Sequence, residues 1–155
     1  MKHLKIIVPV VLLIVVVVGV VVPIGPKPGT MIGGTEMPAP ATWPDTSDVH
    51  EIRLAVPGTL PRVVVIWLVE HNSEIYVAGS RDSGWVKMLG AGGPVKMRLG
   101  DNTYPLVAEA VTENLEPVLY DYMAKYREDY ADLVDTFPDP AEAADMYGVF
   151  RLNRP

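Results

Sequence analysis

The chain has 155 residues, 49% of them apolar, a formal net charge of −6 and no cysteine. That is one domain's worth of chain, with length to spare for an anchor or tail. It excludes a disulfide-stapled mini-domain, cysteine-ligated metal, a cysteine nucleophile and a lipidated N-terminal cysteine, and an acidic chain is poorly suited to phosphate backbones, so nucleic acid is not expected as a partner.

Mean hydropathy is positive although 21% of residues are charged, so apolar residues must be concentrated somewhere. They are at the start. Ile6 to Ile24 is an unbroken uncharged run interrupted only by Pro9, Gly19 and Pro23, the rest being Val, Ile or Leu. As a helix it is about 28 Å long, close to the thickness of a bilayer's hydrocarbon core. In lipid even a valine-rich segment becomes helical, because its backbone has no other hydrogen-bond partner. The reading is an uncleaved transmembrane anchor over residues 1–24 that meets the lipid bilayer through residues 6–24. A cleaved signal peptide is the main alternative, but its apolar stretch is normally shorter; a buried core helix is the other. Lys2 and Lys5 precede the run and Lys27 follows it, so the basic-residue rule sets the N-terminus inside. The protein is expected to be single-pass, with the C-terminal domain extracytoplasmic.

Residues 25–48 hold five prolines and four glycines with no periodicity. Such composition buries little apolar surface and stays extended, so the segment reads as a linker. Trp43 is its one sticky residue.

Residues 49–155 form the working domain. His50–Val56 alternates, with Ile52, Leu54 and Val56 on one face. Arg62–His71 (RVVVIWLVEH) is β-branched and apolar on both faces, as a doubly covered central strand would be. Asn72-Ser73 reverses it into Glu74–Gly79. Trp85–Leu89 predicts a helical turn or two, ended by the glycines at 90, 92 and 93. Pro94–Leu99 and Thr103–Thr112 make a hairpin about Gly100-Asp101-Asn102, with Pro105 suggesting an edge or bulge. Val118, Tyr122, Tyr126, Tyr130 and Val134 recur every fourth residue, widened by Leu119, Met123 and Leu133. They predict an amphipathic helix capped by Asn114 or Glu116, with Pro117 in its first turn. Asp139-Pro140-Ala141-Glu142 starts a second, short helix, and Gly148–Leu152 closes with a strand. The fold class is mainly β with peripheral helices (α+β), a small antiparallel barrel.

Charge divides within this domain. Residues 53–98 carry six basic and three acidic side chains, whereas 109–147 carry eleven acidic and two basic. The basic half suggests a site for an anionic ligand, with solvated strand charges as the plainer alternative. The Ser80–Gly84 loop combines hydroxyls, an arginine, a glycine and the start of a helical turn, a set that suits phosphate; an ordinary polar turn has the same composition. Trp85 could stack on a flat ring or plug the core. No catalytic residue is assigned and no metal is expected. His3, His50 and His71 are far apart, no metalloprotease or serine-hydrolase motif occurs, and the acids of 128–145 lack calcium-loop spacing.

The segments Pro61–Trp67 (PRVVVIW), Ile75–Ser80 (IYVAGS) and Gly84–Leu89 (GWVKML) resemble the split β-barrel flavin-binding superfamily. Within it they are similar to the deazaflavin-dependent nitroreductase-like branch, related to pyridoxamine phosphate oxidase. The resemblance covers residues 49–155. It implies a six-stranded antiparallel split barrel that holds FMN or a deazaflavin coenzyme through Arg62, Ser80, Arg81, Trp85 and Lys87, pairs as a homodimer and acts as an oxidoreductase. The chain departs from that branch in three places. Pro57–Pro61 replaces a longer Gly-Arg-x-Ser-Gly loop, Met88 stands where asparagine is usual, and Gly92-Gly93 replaces Asn-Pro. Two further readings stand beside the oxidoreductase: a non-enzymatic small-molecule-binding module on the same barrel, and an interaction domain displayed beyond a membrane.

Overall fold

The computed structural model describes residues 27–155. The apolar run of residues 6–24, and with it the anchor reading, lies outside the described residues. Among those described, no helix is long and apolar enough to cross a membrane.

The elements in chain order are β1 (Thr35–Glu36), β2 (Glu51–Val56), β3 (Arg62–His71), β4 (Glu74–Ser80), α1 (Gly84–Leu89), β5 (Gly92–Leu99), β6 (Asn102–Val111), α2 (Glu116–Val134), α3 (Pro140–Met146) and β7 (Tyr147–Asn153). Strands β2, β3, β4, β7, β6 and β5 pair antiparallel in that order, and β5 returns to β2. The circuit is closed, so the domain is an antiparallel barrel, as expected from the order of the strands, with the six strands that the resemblance implied. Closure leaves none of the six an open edge. The β3–β4 reversal uses Asn72 and Ser73 at positive φ (52° and 64°), the backbone that matches strand twist in a two-residue hairpin.

Two apolar layers result. Leu54, Leu68, Ile75, Val77, Met97, Leu106, Phe150 and Leu152 fill the barrel. On the outer face of β3 and β4, Val69 and Tyr76 pack with Val118, Leu119, Tyr122 and Tyr126 of α2 and Ala143 of α3. Strand β3 therefore buries both faces, Val64 and Leu68 inward and Trp67 and Val69 toward the helices, which is why its sequence does not alternate.

Several local expectations are corrected. Neither Asn114 nor Glu116 caps α2; Leu115 occupies the cap without a side-chain bond, and Asn114 takes a left-handed backbone (φ 53°). The four-residue repeat buries Val118, Tyr122, Tyr126 and Val134 as expected, although the helix breaks at Tyr130 (φ −133°, ψ 40°). The break leaves Leu133, expected in the buried stripe, exposed. Helix α3 starts as predicted, with the Asp139 carboxylate accepting from the Ala141 amide at 3.0 Å. Pro105 lies opposite Lys96 in the β5–β6 ladder. On the other edge of β6, β1 ends its pairing at Thr103 and β7 begins at Val107, so the missing amide falls where no strand needs it.

The Pro/Gly-rich segment lies along the barrel as a strap. Gly29 exchanges two backbone bonds with Val63, both 2.8 Å. The Thr103 hydroxyl donates to the Gly33 carbonyl at 2.6 Å, Arg98 donates to the Ile32 carbonyl at 3.2 Å, and β1 pairs parallel with β6. Trp43 is buried against Tyr104, with the Arg154 guanidinium over its ring. Farther on, the Lys125 ammonium donates to the carbonyls of Thr46, Val49 and Leu68 at 2.8–3.1 Å. Burial pushes its pKa down, against the pull of Glu70, Asp45 and Asp48. Composition alone suggests a free segment; these bonds depend on partners far away in sequence.

Candidate functional site

A space large enough for a ligand lies between the outer wall of β3–β4 and the two C-terminal helices. It is a cavity of about 400 Å³. Trp67 and Val65 of β3, Ala78 and Gly79 of β4 and Trp85 of α1 make the barrel side. Leu119, Tyr122 and Met123 of α2, Phe137 and Pro138 of the following turn, Ala143 of α3 and Tyr147 of β7 make the rest. Glu51 is the one charged residue of the lining. Broad apolar walls with few polar groups are what a small-molecule pocket requires.

The walls are held rigidly. Trp67 stacks on Tyr126 with ring centroids 4.0 Å apart and planes 8° from parallel. The Tyr126 hydroxyl accepts from the Leu68 amide at 3.0 Å and lies 2.6 Å from the His50 carbonyl, to which it donates. The Tyr122 hydroxyl sits 3.0 Å from the carbonyls of both Trp67 and Tyr76. Burial raises the pKa of both tyrosines well above the usual phenol value. They are anchors held protonated, poorly suited as proton donors. At the ends of the same helix face, Asp121 pairs with His71 at 2.6 Å and Asp129 with His50 at 3.1 Å, so these two histidines are tied to α2. Among the described residues no group of three or more His, Asp or Glu side chains is placed to hold a metal ion.

The five residues expected to bind a cofactor are not brought together as one cradle. Trp85 lines the cavity but is itself buried, with its ring against Gly79 and Phe150. Ser80 closes its own turn: its hydroxyl accepts from the Asp82 amide (3.2 Å) and its carbonyl from Ser83. Arg81 donates to the Ala144 carbonyl at 3.0 Å, and Lys87 pairs with Asp82 at 3.1 Å. Arg62 comes nearest to the expectation. Its guanidinium lies beside Gly84, and its buried Nε has no partner among the described residues. The loop thus has its own internal bonds, and a phosphate there would have to displace them.

Sequence reasoning missed Trp67, Tyr122, Phe137 and Tyr147 as cavity walls. The available signal was Trp67 itself, a large aromatic on the outward parity of a strand, followed later by an aromatic stripe on a helix.

No protein-family model matches the chain, and no curated protein matches it. Solved structures with a similar fold exist. HutZ, the heme storage protein from Vibrio cholerae, is 16% identical with a TM-score of 0.49, over 70% of this chain and 84% of that one. A NimC/NimA family protein from Clostridium acetobutylicum is 14% identical with a TM-score of 0.46, over 66% and 72%. A protein of unknown function from Agrobacterium tumefaciens is 14% identical with a TM-score of 0.49, over 75% of this chain and 57% of that one. These likenesses are distant, and the barrel rests on its own strand pairing.

Proposed function

We propose that this chain is a membrane-anchored split-barrel protein, single-pass with its domain outside, that binds a planar, largely apolar ring between the barrel and its helices. The observation that carries the reading is the aromatic cavity of about 400 Å³ walled by Trp67, Trp85, Tyr122, Phe137 and Tyr147. Flat aromatic walls, Trp67 backed by Tyr126 and Tyr122 bonded to backbone, suit stacking on a flat ligand. The flavin and deazaflavin ring systems are the class to test first; bound there, such a cofactor would supply hydride transfer, as in an oxidoreductase of the nitroreductase-like kind. The protein's own part is to orient the ring and exclude water.

The test is a titration of the full chain in detergent with riboflavin, FMN, a deazaflavin coenzyme and haemin, read by absorbance and by quenching of tryptophan fluorescence. Saturable flavin binding that Ala78→Phe abolishes by filling the cavity is the expected result. Because Arg81 and Lys87 are engaged locally, Arg81→Ala and Lys87→Ala should leave affinity unchanged, and riboflavin should bind as well as FMN. Absence of binding to any flavin at saturating concentrations would overturn the reading. Sedimentation of the same sample tests the homodimer.

A second reading, binding without catalysis, is favoured by one observation. Of the cavity's two phenols, that of Tyr122 is committed to backbone carbonyls, which leaves Tyr147 and Glu51 as the only other titratable side chains of the lining. A bound flavin that is never reoxidised by a nitroaromatic substrate would decide for it.

A further inference from the structure

We infer that the barrel sits directly on the bilayer surface, with the β2–β3 turn and its neighbours as the lipid-facing tip. The inference rests on the anchor reading for residues 6–24 and concerns what the domain does once anchored.

The first argument is length. The apolar run ends at Ile24, and Gly29 is already bonded to Val63 on the barrel. The five backbone steps between them span at most about 18 Å, even fully drawn out. The headgroup layer alone takes up about 5–8 Å of that. A 24-residue linker would let the domain swing freely; four intervening residues cannot. The edge of the barrel at Gly29 and Val63 is therefore held close to the lipid headgroups.

The second argument is what that edge displays. Beside Val63 is the Pro57–Pro61 turn, with Leu60 75% exposed. The Met88 methyl lies against Gly58 of the same turn, and Met88 is 42% exposed. Met31, two residues along the strap from Gly29, is 60% exposed. Thr30, Ile32, Pro57, Pro61 and Val63, from the strap and the same turn, line one largely apolar groove. Large apolar side chains at a surface next to the root of an anchor suit insertion at the headgroup–acyl boundary.

The third argument is charge. The stretch from Arg53 to Arg98, which contains the tip, has an excess of basic side chains, and the region from Glu109 to Tyr147, largely helical, has an excess of acidic ones. Anionic lipid attracts the first and repels the second. The docking sets the basic half of the domain, and not the acidic helical layer, against the membrane.

The chain has no cysteine, so single substitutions carry one reporter each. The full chain is reconstituted into vesicles containing anionic lipid, with an environment-sensitive fluorophore attached through Leu60→Cys, Met88→Cys or, on exposed α2, Tyr120→Cys. Quenching by lipids spin-labelled in the acyl chain should be several-fold stronger for the first two than for the third. Equal, weak quenching at all three positions, in a chain that resists alkaline carbonate extraction, would overturn the docking and leave the anchor standing. Release by carbonate would remove the anchor and the docking with it.

Discussion

Tyr126 does more at a single position than any other residue of the helical layer. Its ring lies flat against Trp67 and its hydroxyl reaches backbone of both β3 and the segment before β2. Burial holds its folded-state pKa above the ordinary 10.0. A phenol raised in this way contributes stability that is fully present below the unfolded value and is lost as pH rises through the folded one. Urea midpoints should therefore be flat below pH 10 and fall above it, and Tyr126→Phe should flatten that fall. The same variant should cost about 1–3 kcal/mol at neutral pH, because it leaves the Leu68 amide without its partner. Gly79 is the other decisive position. A Cβ there would overlap the Trp85 indole, so Gly79→Ala should cost about 1–3 kcal/mol by overpacking. It should also weaken flavin affinity, because Trp85 is a cavity wall. Thermal melts and the ligand titration check both.

Among the elements, β3 and α2 show most clearly what a pattern can and cannot reveal. The β3 boundaries were legible to the residue, since ten consecutive strand-forming residues stand between a Pro-Gly turn and Asn-Ser. The doubly apolar face announced burial on both sides. The start of α2 was legible from Pro117, but its break at Tyr130 was not, because the four-residue spacing continues through it. Strand β5 carries a sharper constraint. Gly92 has φ +126°, and a Cβ there would overlap the Ala108 carbonyl on β6. Gly92→Ala should cost at least about 1–3 kcal/mol from backbone strain alone. It should also open the β5–β6 ladder at that end, read as faster hydrogen exchange at Ala108 and Ala110.

At the scale of the molecule the barrel and the strap are one cooperative unit. Trp43 reaches from the strap into the barrel core, and Arg154 at the other end of the chain covers it while donating to the Pro40 carbonyl at 2.7 Å. Trp43→Ala should cost about 3–5 kcal/mol, as large-to-small core changes do. A chain beginning at Asp45 should melt well below one beginning at Lys27, measured by calorimetry. Equal melting would mean that the strap contributes nothing to folding.

Strand alternation, breaker residues and the capped start of α3 were written in the order of side chains, because each depends only on near neighbours. From them the barrel, its hairpins and its helices could be read, and the apolar run of residues 6–24 stands out on composition alone. The site could not be read in the same way. Ser80, Arg81, Trp85 and Lys87 are close in sequence, yet Arg81 reaches the distant Ala144 carbonyl, Lys87 pairs with Asp82 and Trp85 packs on Gly79, while Arg62 comes from another strand to lie beside Gly84. Trp67, Tyr122, Phe137 and Tyr147 are scattered over eighty residues and meet only when two helices fold back on the barrel wall. The strap was hidden for the same reason. Its own part in the bonds to Val63, Thr103 and Lys125 is played by backbone groups that every sequence possesses, and only the tertiary fold selects which partners meet them.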